Sequence, residues 1–288
     1  MTGRGGGHVV CATLNPALDI TYIGERFAAG QSNRVSRVYA QAGGKAVNVA
    51  RLLRQAGHDV IVTGFAGGLV GAEIAAHLDE WAVPHRFVRC AGASRRTVSA
   101  LSTQDAAVTA YNENGPRVTG AEWTLFAGRF AELARGARLV ILSGSLPGGL
   151  PVDAYRTLAC LAADSGAAAF IDAHAAPLLA AVAAKPALVK PNEHELAEVA
   201  GLAVPVPLPA VVHASRRLLA DGAQGVVVSL GPRGLVGVLP GMTLLAVPPA
   251  QQGNPVGAGD AALAALAEGH LAGQPWPDRL RRAAAMSA

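Results

Sequence analysis

The chain has 288 residues, of which 51% are hydrophobic and 15% charged, so it has material for a large core and is not expected to be disordered over most of its length. It has no apolar run of about 18 residues, which excludes a predicted transmembrane helix. The formal net charge is +4, but the basic residues come in scattered pairs such as Arg95-Arg96 and Arg281-Arg282, so we expect neither a nucleic-acid nor a membrane partner.

Short apolar runs alternate with longer helical patterns along the chain. The predicted core strands are 9–14, 59–64, 138–142, 168–172, 187–189 and 225–230. The predicted helices are 45–56, 71–81, 121–134, 152–165, 192–200, 209–220 and 258–271. Such alternation is typical of an α/β fold in which helices cover both faces of a parallel sheet, with ligands bound at the edge where the strands end.

Two segments, 18–39 and 96–111, break this alternation because polar and apolar residues interleave in them. We expect exposed antiparallel strands there, with a turn near Gln104 in the second segment. Together they would form a small sheet that covers the ligand edge of the parallel sheet. No repeat and no linker is found, so residues 1–288 are predicted to form one domain with this small sheet inserted in it.

The strongest chemical signal is the segment 254–260 (NPVGAGD), followed at once by an alanine-rich helical pattern. Gly257 and Gly259 allow a tight turn into the helix, and the N–H groups of its first turn would form an anion hole. Asp260 is placed to take a proton from a hydroxyl. The alternative is a glycine-rich turn that happens to carry an acidic residue.

A second pair of glycines precedes a helix in the segment 42–48 (AGGKAVN). The spacing is not that of a P-loop. Lys45 would be a point charge beside a bound phosphate, and Asn48 lies one helical turn further on. The alternative is a turn with a solvated lysine.

The third signal is the segment 190–195 (KPNEHE), which follows a predicted buried strand. Asn192 and Glu195 are one helical turn apart, so both can face a hydrated Mg²⁺. The alternative is a capping box, in which the same two residues close the start of a helix. His194 is predicted to be a surface residue, since no second histidine follows at zinc-ligand spacing.

Three weaker signals follow other core strands. Asp19, in the segment 13–19, is placed to accept hydrogen bonds from sugar hydroxyls, unless it is simply a turn residue. The segment 143–149 has the flexible turn that a backbone approach to phosphate requires. The segment 229–234 would line a nucleotide site or, alternatively, form the turn of a β-hairpin.

The three cysteines, Cys11, Cys90 and Cys160, are far apart and odd in number. Their spacing indicates neither a disulfide framework nor a cysteine zinc site. We therefore expect a reducing compartment, the cytoplasm.

Six motifs occur in order along the chain: TLNPALD, GGKAVNVAR, SGSLPGGLP, KPNEHEL, SLGPRG and NPVGAGDA. This series resembles the ribokinase-like carbohydrate kinases of the phosphofructokinase B family, and is most similar to the branch that holds 1-phosphofructokinase and tagatose-6-phosphate kinase. The resemblance implies a three-layer α/β/α domain with a small β-sheet lid, formed here by 18–39 and 96–111. It also implies ATP-dependent phosphorylation of a sugar phosphate and a homodimer that forms through the lid.

The resemblance implies a role for each motif residue. Asp260 would be the catalytic base beside the anion hole of Gly257, Ala258 and Gly259. The residues implied to bind the sugar phosphate are Asp19, Gly44, Lys45, Asn48 and Arg95, the last against the phosphate already on the acceptor. The residues implied on the ATP side are Lys190, Asn192, Ser229, Gly231 and Gly234. Asn192 and Glu195 would organise Mg²⁺ through water.

The chain departs from the family pattern at three places. Ala46 replaces a glycine, which is expected to add a methyl group beside the sugar. Thr97 stands where relatives often have asparagine, which is expected to shorten a sugar contact. Asn254-Pro255 replaces an Asp-Thr or Ser-Thr pair, so activation by a monovalent cation is not carried over.

The expected acceptor is fructose 1-phosphate. The alternatives within the family are tagatose 6-phosphate and fructose 6-phosphate. A different class, a catalytically weak sugar-phosphate-binding protein, is disfavoured by the intact Asp260 motif. A Rossmann oxidoreductase is disfavoured because Asn15-Pro16 follows the first strand in place of a G-x-G-x-x-G sequence.

Overall fold

The computed structural model describes residues 7–249 and 257–287, so Asn254, Pro255 and Val256 of the last motif lie outside the described residues. Its larger sheet has nine strands. In spatial order they are β13 (Met242–Ala246), β12 (Leu235–Leu239), β11 (Val226–Ser229), β10 (Leu188–Val189), β9 (Ala168–Asp172), β8 (Ala137–Ser143), β1 (His8–Thr13), β4 (Val60–Ala66) and β5 (His85–Arg89). The strands from β11 to β5 pair in parallel, and β12 and β13 add an antiparallel hairpin at one edge.

Helices cover both faces of this sheet. They are α1 (Lys45–Gln55), α2 (Gly68–Glu80), α3 (Gly120–Ala134), α4 (Ala154–Asp164), α5 (Ala175–Val182), α6 (Glu193–Ala200), α7 (Leu208–Ala220), α8 (Ala258–Leu271) and α9 (Trp276–Met286). One apolar core lies between the sheet and α3 to α7, and the other between the sheet and α1, α2, α8 and α9. Within β1, Val10 belongs to the first core and Val9 to the second, because successive side chains point to opposite faces. The expected three-layer α/β/α fold is confirmed.

All six predicted core strands and all seven predicted helices are present, with ends shifted by a few residues. Strands β5, β12 and β13 and helices α5 and α9 were not predicted. The edge strand β5 (HRFVR) has only two adjacent apolar residues, Phe87 and Val88, so it lacks the continuous apolar run of the inner strands. Helix α5 (AAPLLAAV) is apolar throughout and contains Pro177, so it shows no helical period of polar and apolar residues.

A second sheet has four strands in the order β3 (Arg37–Gly43), β2 (Ala17–Gly24), β6 (Arg95–Ser102) and β7 (Val108–Asn112). The expectation that all its strands are antiparallel is wrong, because β2 and β6 pair in parallel. Strand β2 follows β1 and strand β6 follows β5, so both leave the large sheet from its carboxyl edge and run in the same direction. The first predicted segment, 18–39, also extends further than expected, because its second strand, β3, ends at Gly43 and leads into α1.

Within residues 7–249 and 257–287, none of the helices has both the length and the hydropathy needed to cross a bilayer.

Candidate active site

The fold brings the glycine turn before α1 and the glycine turn before α8 together at the carboxyl edge of the large sheet. Gly257 caps α8 in the left-handed region, with φ of 87°, and its carbonyl accepts the N–H groups of Asp260 and Ala261. The Asp260 carboxylate accepts a hydrogen bond of 2.8 Å from Asn48 Nδ2, which lies 212 residues away in α1. A turn with an incidental acidic residue does not account for this long-range contact.

Asp260 is 8% exposed. Burial raises the pKa of its carboxyl group to about 6, although the hydrogen bond from Asn48 opposes the shift. A carboxyl group with this pKa is mostly ionised at neutral pH, yet basic enough to accept a proton from a hydroxyl.

Asp172, at the end of β9, holds two lysines. Lys45 Nζ lies 2.7 Å from its Oδ1, and Lys190 Nζ lies 3.0 Å from its Oδ2. Burial raises the pKa of the Asp172 carboxyl group, but Lys190 and Lys45 outweigh burial and the net shift is downward. Asp172 was not among the predicted site residues, although an acid that ends a buried strand (AAFID) is a detectable signal.

Lys45 is partly exposed, but its ammonium group is paired with carboxylates. Its ammonium group also lies 3.3 Å from Glu195 Oε1, and its side chain is 32% exposed. Burial lowers the pKa of Lys45, but the opposite effect of Asp172 and Glu195 is larger, so the net shift of the pKa is upward. Lys45 is therefore a fixed cation whose two structural contacts are carboxylates.

Lys190 connects this charged cluster with the glycine turn before α8. Its Nζ would lie 3.7 Å from a Cβ atom added at Gly259. The side chain is 3% exposed, so its charge is directed at the turn and at Asp172 rather than into solvent. The start of α8 thus has a buried cation beside the N–H groups of its first turn, which is favourable for an anion.

Asn192 and Glu195 form a capping box. Asn192 Oδ1 accepts the Glu195 N–H at 2.9 Å, and Glu195 Oε2 accepts the Asn192 N–H at 2.8 Å. The second carboxylate oxygen of Glu195, Oε1, faces Lys45 and lies 3.6 Å from His174 Nδ1. The described residues contain no group of three or more acidic, histidine or cysteine side chains that would enclose a metal. Glu195 Oε1 is thus already paired with a cationic side chain, and the Asn192 amide oxygen is committed to the cap.

The segment 229–234 is the turn of the hairpin β11–β12. The Ser229 N–H donates to Pro191 O at 3.1 Å, which places Ser229 beside Asn192. Gly231, with φ of 58°, has open space around it. A Cβ atom at Gly234 would lie 2.2 Å from Ala246 O, so this glycine is required by the close approach of β13. The structure thus places Ser229 beside Asn192 and leaves Gly231 in the exposed turn, whereas Gly234 packs against the sheet.

A cavity of about 400 Å³ lies between the large sheet and the small sheet. Its lining includes two groups of predicted residues, Gly44 with Lys45 and Arg95 with Thr97. Asp19 lies at its margin, where its carboxylate accepts the Thr97 hydroxyl group. Burial raises the pKa of Asp19, against the opposing effects of Thr97, Arg95 and the Gly44 N–H.

Arg95 has an unusual environment for a half-buried cation. Its Nε donates to Asn15 O at 3.1 Å and its Nη1 to Glu113 O at 3.4 Å. Among the described residues, no carboxylate oxygen lies within 4.0 Å of its guanidinium nitrogens. Burial lowers the pKa of Arg95, with Asp19 and Glu113 opposing. The cavity wall therefore carries a cation held by neutral acceptors.

The departures from the family pattern have different outcomes. Ala46 is 0% exposed and packs in the core beneath α1, so the expected methyl group beside the sugar is wrong. Thr97 lines the cavity, and its hydroxyl group is engaged with Asp19. His194 is exposed, as predicted.

Other cavity residues were missed by sequence reasoning. They include Asn15, Asn112, Glu113, Asn114 and His174. Asn15 stands inside the motif TLNPALD, so its position directly after a core strand was a usable signal. Glu113 and His174 belong to no glycine or charge pattern, and only the arrangement of the two sheets brings them to the cavity.

Comparison with known proteins agrees with this geometry. Residues 11–288 match the pfkB family of carbohydrate kinases. Phosphofructokinase-2 from Escherichia coli, in its tetrameric inhibited form, is 27% identical with a TM-score of 0.91, over 98% of this chain and 94% of that one. A possible 1-phosphofructokinase from Thermotoga maritima is 25% identical with a TM-score of 0.85, over 95% of this chain and 88% of that one. Arabidopsis thaliana ribokinase, complexed with ribose and ATP, shares the fold at 21% identity with a TM-score of 0.79, over 97% and 90%. The chain belongs to the pfkB family of carbohydrate kinases.

Proposed function

We propose that this kinase transfers the terminal phosphate of ATP to a hydroxyl group of a hexose phosphate, with fructose 1-phosphate as acceptor and fructose 1,6-bisphosphate as product. Tagatose 6-phosphate and fructose 6-phosphate are the alternative acceptors. The observation that carries this proposal is the environment of Arg95. A half-buried guanidinium group held by two carbonyl oxygens retains free N–H groups, and a phosphate group on the acceptor is the ligand they fit.

Asp260 supports the chemical step. The acceptor hydroxyl oxygen would attack the terminal phosphorus of ATP, its proton would pass to the Asp260 carboxylate, and ADP would leave. Asn48 keeps that carboxylate oriented through its 2.8 Å hydrogen bond. Lys190 and the N–H groups at Gly257, Ala258 and Gly259 would stabilise the charge on the transferred group.

The nucleotide would lie along the α8 start and the β11–β12 turn. Lys190 and Ser229 support this location, since Lys190 lies beside the α8 turn and the Ser229 N–H donates to Pro191 O next to Asn192. Gly231, in the same hairpin turn, would leave space for the nucleotide. Glu195 Oε1 would hold water molecules of a hydrated Mg²⁺. When bound with ATP, Mg²⁺ neutralises phosphate charge.

The small sheet would act as a lid over the acceptor. Its cavity face carries Asp19 and Thr97, and its outer strands expose Tyr39 and Val108, which are 54% and 50% exposed. A homodimer that forms through these exposed strands would cover apolar surface and the free sheet edges. We place the enzyme in the cytoplasm, because Cys11 and Cys90 are buried free thiols and no disulfide forms among the described residues.

The direct test is a coupled assay of ADP release across fructose 1-phosphate, fructose 6-phosphate, tagatose 6-phosphate and free fructose. We expect fructose 1-phosphate to have the highest kcat/KM. Arg95→Ala should raise the KM for sugar phosphate about tenfold or more, because an Arg–phosphate contact is charge-assisted, and should leave the KM for free fructose little changed.

Arg96→Ala is the matched control. Arg96 is the next residue of β6 and is exposed, and its side chain points to the opposite face of the strand. Faster turnover of free fructose than of any of its phosphates would overturn the proposal. Equal effects of the two substitutions would remove Arg95 from the acceptor site.

A further inference from the structure

Asn15 is a buried polar residue in the turn between β1 and β2, and no step proposed above uses it. It is 4% exposed and lies in the wall of the cavity. Its side-chain amide Nδ2 donates to Asn114 O at 3.0 Å and to Ser145 Oγ at 3.2 Å. The main-chain carbonyl oxygen of Asn15 accepts the 3.1 Å hydrogen bond from Arg95 Nε. One residue thus contacts three separate parts of the cavity wall.

These three parts are far apart in the sequence. Asn114 lies in the chain that leaves the small sheet after β7, Ser145 lies in the loop after β8, and Arg95 begins β6. The amide of Asn15 therefore ties the exit of the small sheet to a loop of the large sheet. Both carbonyl groups that hold Arg95 are attached to this tie, since one belongs to Asn15 and the other to Glu113, the neighbour of Asn114.

We propose that Asn15 is a positioning residue that fixes the Arg95 guanidinium group for the phosphate of the acceptor. This inference rests on the proposed function. Among residues 7–249 and 257–287, Arg95 has no carboxylate within 4.0 Å, so the hydrogen bonds that direct its guanidinium group go to two main-chain carbonyl oxygens. Without the amide, the turn at Asn15 and the chain at Glu113 are free to move apart, and the guanidinium group loses its fixed orientation.

Stability alone does not explain an asparagine here. Its Oδ1 is buried and accepts no hydrogen bond from any described residue. A buried acceptor without a donor destabilises the folded state, which offsets part of the stabilisation from the two donated hydrogen bonds. A residue retained for the placement of its neighbours accounts for this combination.

Gly115 offers a way to move Asn15 without removing a polar group. It has φ of 87°, and a Cβ atom added there would lie 2.2 Å from Asn15 Oδ1. Gly115→Ala should therefore displace the amide. Gly57→Ala is the matched control, because Gly57 has a similar φ of 84° but open space around it, so it reproduces the backbone strain without the displacement.

The experiment measures kcat and KM for fructose 1-phosphate, free fructose and ATP in Asn15→Ala, Arg95→Ala and the double variant. We expect Asn15→Ala to raise the KM for fructose 1-phosphate about tenfold, with the KM for ATP and the kinetics with free fructose little changed. In the Arg95→Ala background the same substitution should have no further effect, because Asn15 acts through Arg95.

Asn15→Leu keeps the approximate size of the side chain, adds no charge and loses both donated bonds, so it serves as a second variant if Asn15→Ala does not fold. It and Gly115→Ala should raise the same KM, and Gly57→Ala should not. An equal loss with free fructose, or an undiminished Asn15→Ala effect in the Arg95→Ala background, would overturn the positioning role. If Arg95→Ala itself leaves the preference for sugar phosphate unchanged, the proposed acceptor contact fails, and this role of Asn15 fails with it.

Discussion

The charged cluster of Lys45, Asp172, Lys190 and Glu195 and the small sheet differ in how firmly their residues are held. In the cluster, Asp172 is 1% exposed and each of its oxygens has a lysine partner. In the small sheet, all five residues of β7 are exposed, and Tyr111 is 63% exposed. The groups proposed to carry the phosphoryl transfer are thus buried and fixed, whereas part of the acceptor site lies on a weakly packed sheet.

Burial explains this difference. Strand β7 is joined to the molecule through its pairing with β6, and it adds no residue to either apolar core. Segments with few buried contacts open locally at low free-energy cost. The charged cluster is held between the large sheet and the helix starts, so its geometry changes only if the fold does. This separation suits an enzyme whose acceptor must enter before water is excluded.

The largest effect is expected from loss of the carboxylate shared by the two lysines. Asp172→Ala should lower the free energy of unfolding by about 3–5 kcal/mol, because it leaves the buried Lys190 ammonium group without its partner. Denaturant unfolding at neutral pH measures it. Asp164→Ala, at an exposed position at the end of α4, is the control and should change stability little. A loss below about 1 kcal/mol in the Asp172 variant would show that the cluster is not rigidly held.

Asp260→Asn tests whether the buried carboxylate at the start of α8 performs the chemistry. Turnover should fall at least ~10²-fold, the lower range for a positioned general base. The same variant should be more stable at pH 7, by up to about 3 kcal/mol, because burial raises the pKa of the wild-type carboxyl group to about 6. That cost of ionisation is absent below about pH 4, grows as the pH rises from about 4 to about 6, and is fully present above that range.

The opposite result would identify another base. Near-normal turnover in a folded Asp260→Asn variant would contradict the catalytic assignment. Reduced thermal stability together with lost turnover would indicate that the carboxylate supports the fold instead of straining it.

The Asn48 contact predicts a shift in the pH profile. The hydrogen bond from Asn48 Nδ2 favours the charged form of Asp260, so Asn48→Ala should raise the pKa of that carboxyl group further. The acid limb of kcat/KM, which falls as Asp260 becomes protonated, should then move to higher pH. An acid limb that stays in place, measured with saturating ATP, would show that Asp260 does not govern it.

The smallest effect should be seen in the small sheet. Hydrogen exchange of the amides in β2, β3, β6 and β7 should slow when fructose 1-phosphate is added, because Asp19 and Arg95 bind it better in the closed state. Exchange in β8, a buried core strand, should stay slow throughout. Equal exchange in the small sheet with and without saturating acceptor would contradict closure and indicate a preformed site.

Much of the fold was predictable because its signals are local. Parallel strands buried on both faces read as continuous apolar runs, and the glycines before α1 and α8 mark turns into helices. The edge strand β5 was missed because exposed arginines, Arg86 and Arg89, flank its two apolar residues. The parallel pairing of β2 with β6 was also beyond a local pattern, since it depends on the edge from which both strands leave the large sheet.

In the candidate site, too, some features were predictable from the sequence and others were not. The sequence by itself determined which residues stand at strand ends and helix starts, and so selected Asp260, Lys45 and Lys190. Only the tertiary structure decided their partners. Lys45 meets Asp172 across 127 residues, and Asn48 meets Asp260 across 212. It also turned the Ala46 methyl group into the core and placed Asn15 between the two sheets. The reason is that crossover connections set which strands become neighbours, and no local pattern contains that information.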